Sequence, residues 1–160
     1  MTGKLDALDT ALLACLQEDN LQTAEHYAER VGRSPSAVAR RLRRLRATGA
    51  VAADVSLISE EAAGRPLSAI VHVQLERHAP QEGDRLRRRL IASPNVQLCL
   101  DVAGSFDIVL LIVAADMHAY NEVADGLLED NPAVRRFETT FVKRRVKATL
   151  AFPLQERPGS

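Results

Sequence analysis

No apolar run in the sequence approaches the roughly 18 to 20 residues that a membrane-crossing helix needs. The opening MTGKLDALDT carries neither the basic nor the apolar region of a secretion signal. These absences predict a cytoplasmic protein with no membrane partner. Cysteine is scarce: Cys15 and Cys99 lie far apart and fit neither a disulfide framework nor a C-x-x-C site, so each is expected to serve as a small buried hydrophobe. The histidines, His26, His72, His78 and His118, form no i, i+4 pair and have no cysteines beside them, which gives no basis for a metal site. Phosphate-cradling G-x-x-x-x-G-K-[ST], nucleophile-elbow G-x-S-x-G and dinucleotide G-x-G-x-x-G patterns are missing as well. Common routes to catalysis are thus excluded, and neither a catalytic residue nor a cofactor is expected. What is present, 46% hydrophobic and 26% charged residues over 160, is the composition of a soluble globular protein with one ordinary domain or two small ones.

The charge is balanced overall, with 21 basic and 21 acidic residues, but it is not evenly spread. Between Arg30 and Gly49, RVGRSPSAVARRLRRLRATG holds seven arginines and no carboxylate. Before it, Leu5, Leu8, Leu12 and Leu16 recur at helical spacing with polar Asp6, Asp9 and Gln17 between them, predicting a helix over 4–18. Thr23 is placed to cap a short second helix with the stripe Ala24, Tyr27, Ala28 and Val31, and Gly32 is placed to stop it. Ser34 followed by Pro35 starts a third helix. There Val38, Leu42 and Leu45 point inward. Rotation by about 100° per residue puts Ser36, Arg40, Arg43 and Arg44 on the far side, with Arg41 and Arg46 flanking the buried stripe. Gly49 closes this helix, and AVAADVSLI, 50–58, alternates like a strand or wing.

Two short helices across a tight turn, the second exposing arginines, form the pattern of a helix-turn-helix whose recognition helix enters a major groove. Guanidinium groups bind phosphates and, near the helix start, guanine edges. The candidate DNA surface is Ser34, Ser36, Arg40, Arg41 and Arg44, with Arg33 and Arg43 nearer phosphates.

From Pro66 the pattern changes to strands alternating with helices. LSAIVHVQLE (67–76), NVQLCLDV (95–102) and FDIVLLIVA (106–114) read as strands; the last is apolar on both faces. Leu86 and Leu90 mark a helix between the first two. Asp116 is placed to cap another helix bearing Met117, Tyr120, Val123, Ala124, Leu127 and Leu128. AVRRFETTFVKRRVKATLAF supplies a final strand or strand pair and completes the β-α-β-β-α-β order of a ferredoxin-like domain. The expected fold is therefore α+β: a helix-turn-helix over 1–50, a linker strand or wing over 51–65, a ferredoxin-like domain over 66–153 and a tail over 154–160. Such a sheet leaves one apolar face bare, and dimerisation through it would also suit a palindromic DNA site. Arg85, Arg87, Arg88 and Arg89 follow Glu82 and Asp84 as in an ordinary surface helix, not a second nucleic-acid patch.

LDALDTALLACLQEDN, AERVGRSPSAVARRLRRLRATGAV and VAGSFDIVLLIVAADMHAYNEV, in this order and at these separations, resemble the Lrp/AsnC (leucine-responsive, feast/famine) transcription regulators over nearly the whole chain. The resemblance implies an amino-acid-sensing domain over 66–152 and dimers that assemble further, commonly four to a disc, an octamer. It implies an effector pocket at the contact between dimers, formed by the turn Gly104, Ser105, Phe106 and Asp107, with Met117, Thr139, Thr140 and Phe141 nearby. Glycine would let backbone N–H groups approach a carboxylate, aspartate would receive an ammonium, and the threonines would offer hydroxyls. Ser105, Leu21 and Tyr27 depart from residues usual in the family, and GSFD would also serve as a plain hairpin connection. Double-stranded DNA, a second copy of the chain and an amino acid or related metabolite are the implied partners. Two rival functions are a ligand-blind architectural DNA-binding protein and an enzyme similar to the haem-pathway decarboxylases, the latter expecting a clustered histidine and tyrosine.

Overall fold

The structure, a computed structural model, describes residues 5–76 and 80–154; His78 and the terminal RPGS lie outside them. The chain forms two compact units, one from the residues up to Leu57 together with those from Ala148 onward, the other from Ile58–Lys147. The segment from Ala148 onward packs with the N-terminal helices. Gln17 fixes it there: its amide donates to the Phe152 carbonyl (3.0 Å) and accepts from the Phe152 N–H (2.7 Å), as a neighbouring strand would.

The first unit holds helices α1 (Ala7–Glu18), α2 (Ala24–Val31) and α3 (Pro35–Ala47). Each begins at a side-chain cap. Asp6 accepts from the Asp9 N–H while Asp9 accepts from the Asp6 N–H, a reciprocal capping box. Thr23 caps α2 and Ser34 caps α3, with Pro35 at the first helical position. The capping box starts α1 at Ala7, inside the 4–18 expected from leucine spacing, and leaves Leu5 largely exposed. Gly32 ends α2 in the left-handed region (φ 63), letting the chain turn straight into α3. Leu12, Leu16, Tyr27, Ala28, Val38, Leu42 and Leu45 close the core, each large side chain contributing about 1.5–3 kcal/mol by leaving water. The Tyr27 hydroxyl donates to the Asp19 carbonyl (2.6 Å), so burying the ring strands no polar atom. No strand forms over 50–58, nor over 142–152: alternation makes a segment fit to pair, but a ladder needs a partner, and Val55, Leu57, Val146, Leu150 and Phe152 remain exposed.

The second unit is a four-stranded antiparallel sheet in the order β2-β3-β1-β4, from β1 (Leu67–Leu75), β2 (Val96–Asp101), β3 (Ile108–Ala114) and β4 (Val134–Phe141). Helices α4 (Pro80–Ala92) and α5 (Met117–Leu127) cover one face. Side chains alternate across the pleat, so Ala69, Val71 and Val73 with Ile108, Leu110 and Ile112 meet Leu86, Leu90, Tyr120, Ala124 and Leu128 in a single core. The other face carries Ile70 opposite Leu111, with Leu98, Leu100, Val109 and Val113 around them, all partly open to solvent. The arginines of α4 are used locally: Arg85 pairs with Glu82 (2.7 Å) and Arg87 with Asp101 (2.8 Å), while Arg89 donates to the Gly126 carbonyl.

Candidate functional site

The arginines between Arg30 and Arg46, on α2, the turn after it and α3, divide by partner. Arg30 pairs with Glu18 and Arg46 with Asp54 (2.8 Å), which holds the Asp54 carboxyl below its ordinary value. Arg41 bridges Asp6 and Asp9, the latter at 2.9 Å, and Arg44 binds the other Asp9 oxygen. Asp9 itself is 0% exposed, on the same stripe as Leu12 and Leu16. The leucine spacing alone had placed it among the polar residues between core positions; the signal that would have found it is D-x-x-D at the helix start facing R-x-x-R in α3. Among the described residues, no carboxylate pairs with Arg33, Arg40 or Arg43. These three, with Ser34 and Ser36, are exposed on α3 or on the turn before it, and the two serine hydroxyls lie 3.4 Å apart at the helix N-terminus. That puts three unpaired guanidinium groups and the Ser34-capped start of α3 on one surface.

Asp6 gives this region an acid limit. The Asp9 N–H, then the Arg41 guanidinium, hold its carboxyl below the ordinary aspartate value of 3.8. A lowered native value stabilises the fold above the unfolded one and is lost as pH falls through the native one. Thermal melts from neutral pH to below 3.8 should therefore fall more steeply in the wild type than in Asp6→Asn; parallel curves would discount the bond.

In the second unit, the turn Gly104–Asp107 joins β2 to β3, closed by the Val102 N–H on the Asp107 carbonyl (2.9 Å). One carboxylate oxygen of Asp107 already accepts from the Leu75 N–H (2.8 Å), at the irregularity in the β1–β4 pairing. Phe106 packs on His72, ring centroids 5.2 Å apart, with the Arg136 guanidinium 5.2 Å from its centre. Thr139 and Phe141 meet Tyr120, whose hydroxyl lies 2.6 Å from Thr139 and whose ring stands edge-on to Phe141 at 5.1 Å. Thr140 is on the opposite face, across from Ile70. Beside it Ile70, Phe141, Val142 and Val146 line an open groove of about 670 Å³ with Lys143 and Arg144 at its rim.

These candidates do not converge within one chain. Asp107 enters β3 beside Val73, whereas Met117, 47% exposed, follows the other end of that strand, where Ala114 pairs with Leu67. Seven strand residues at about 3.3 Å each separate the ends by about 23 Å. The structure therefore places the GSFD turn and Met117 at opposite ends of the sheet. Tyr120, His72 and Arg136, which hold candidates in place, were not legible as such: each reads as an ordinary core or surface residue until the sheet registers them.

A three-helix unit with a cationic second turn helix, joined in one chain to a ferredoxin-like unit with an open sheet face, defines a class: two-domain helix-turn-helix regulators. The sequence model of the AsnC-type helix-turn-helix domain matches residues 5–46, and that of the Lrp/AsnC ligand binding domain matches 68–152. The chain belongs to the Lrp/AsnC family of DNA-binding transcriptional regulators. It is 40% identical over 152 residues to an HTH-type transcriptional regulator of Sinorhizobium fredii, covering 95% of this chain and 90% of that one. It is 30% identical over 145 residues to the leucine-responsive regulatory protein of Haemophilus influenzae, 91% of this chain and 87% of the other. Among solved structures, a transcriptional regulator of Neisseria meningitidis in complex with L-Met superposes with a TM-score of 0.86 at 29% identity, covering 94% of this chain and 97% of that one.

Proposed function

We propose that this protein is a sequence-specific regulator that reads a palindromic operator as a dimer in the nucleoid and adjusts its grip when an amino acid or related metabolite binds between dimers. The observation that carries the DNA part is the outward face of α3, where Arg40 and Arg43, with Arg33, Ser34 and Ser36 at its start, have no carboxylate partner among the described residues. Paired recognition helices then occupy successive major grooves.

The effector part is supported by the groove beside Thr140 and Phe141. Its apolar lining suits a hydrophobic side chain and its lysine and arginine rim suits a carboxylate. The turn Gly104, Ser105, Phe106 and Asp107 would supply the ammonium site from a neighbouring copy, since one chain keeps that turn far from Met117. Thr139 faces the helices instead, tied to the Tyr120 hydroxyl on the other side of the sheet. A regulator similar to this one has been solved with L-Met. Regulation is favoured over decarboxylase chemistry because His118 and Tyr120 do not cluster: His118 is on the outer surface near Glu122 (3.6 Å), and Tyr120 is buried.

Arg40→Ala combined with Arg43→Ala should weaken operator binding and flatten its salt dependence by about 3.6 in the log–log slope, two phosphates in each of two protomers at about 0.9 each. Fluorescence anisotropy across a salt series measures this, and an unchanged slope removes the α3 face from the interface. Calorimetry against the twenty amino acids, with operator affinity followed in parallel, tests the effector. Silence in both would leave an architectural DNA-binding protein instead.

A further inference from the structure

We propose that Asp9 is a positioning residue for DNA binding: from inside the helix bundle it holds Arg41 and Arg44 against the start of α1, leaving the phosphate-facing charge of α3 to Arg33, Arg40 and Arg43. This rests on α3 being the DNA-reading helix and adds a division of labour among its arginines.

Asp9 is fully buried, and both of its oxygens are occupied by guanidinium groups, Arg41 on one and Arg44 on the other. A buried carboxylate stripped of these partners would be left uncompensated, so the interior demands the pair whatever DNA does. Arg41 is doubly committed, since Asp6 takes it as well. Arg44 is 51% exposed, yet its guanidinium plane is set by the bond to Asp9, and the carboxylate cancels much of its field at short range. Two carboxylates thus face two arginines where α1 meets α3, a locally neutral patch within a cationic helix. Neutral patches release no counterions on binding duplex.

The salt dependence of binding to operator and non-operator duplex separates this from a merely structural ion pair, because stability alone does not set the number of phosphates neutralised. Arg40→Gln should lower the log–log slope of the dimer by about 1.8, one phosphate per protomer, while Arg44→Gln should leave it where it is. Asp9→Asn should free Arg44 in both protomers and steepen the slope by about 1.8, raising affinity for non-operator duplex several-fold at low salt. Equal flattening by Arg44→Gln and Arg40→Gln overturns the role of Asp9 and leaves α3 as the reading helix. No flattening by either overturns both. Should Asp9→Asn fail to fold, the Arg40 and Arg44 comparison decides; if it folds without a steeper slope, the proposal fails.

Discussion

Leu111→Glu is expected to convert the protein to monomers and to cut operator affinity by about a hundredfold or more, the gain that linking two sites supplies. Leu111 sits mid-sheet on the open face, directly across from Ile70 on one neighbouring strand and Leu98 on the other. With Leu100, Val109 and Val113 it forms a contiguous apolar patch, partly open to solvent, that no described element of the second unit covers. A twofold copy placed on that patch, as in the dimer proposed above, would bury it. A glutamate at its centre would enter the interface without a cation, at a cost of several kcal/mol, enough to abolish association at micromolar concentration. The monomer itself should fold as before, because the position is open to solvent there. Light scattering on the eluting protein, with melting followed in parallel, reads both consequences. A dimer that survives the substitution would mean that the chain associates through some other surface.

Local chemistry made most of the helices legible before any coordinates. Ser34–Pro35, Thr23, Gly32 and Asp116 act within one turn of the chain, and each does in the structure what its residue type dictates. The β-α-β-β-α-β order was equally readable, since helical and alternating periods switch cleanly between 67 and 141. What escaped was whatever depended on a distant partner. Asp9 was grouped with Asp6 and Gln17 as polar, but its i, i+3 relation to Leu12 puts it on the inward stripe, where only arginines more than thirty residues away make its charge tolerable. The strand or wing expected at 50–58 and the far part of the final strand or strand pair expected over 133–152 do not form for the opposite reason: neither finds a pairing strand among the described residues. The effector candidates were named as one group by resemblance, and only the antiparallel pairing of β1 with β3 shows that the turn and Met117 stand at opposite ends.

Asp107 tests that last arrangement most sharply, because its two oxygens carry different duties. One accepts from the Leu75 N–H and secures the end of β1; the other has no hydrogen-bond donor among the described residues and, in the effector site proposed above, would receive the ligand's ammonium. Asp107→Asn keeps an acceptor for Leu75 and gives up the charge. Since hydrogen bonds to charged groups are worth about 1.5–3 kcal/mol, amino-acid affinity should drop by roughly 10- to 100-fold while the melting temperature barely moves. Asp107→Ala removes both functions and should add a stability loss of about 1 kcal/mol for the orphaned N–H. Neither variant should alter effector-free operator binding, because the turn is in the second unit and the reading helix in the first. The pair of variants separates the roles. Equal loss of stability in both would make Asp107 a turn-closing residue only, whereas wild-type effector affinity in Asp107→Asn would move the ammonium site to another carboxylate or to backbone carbonyls.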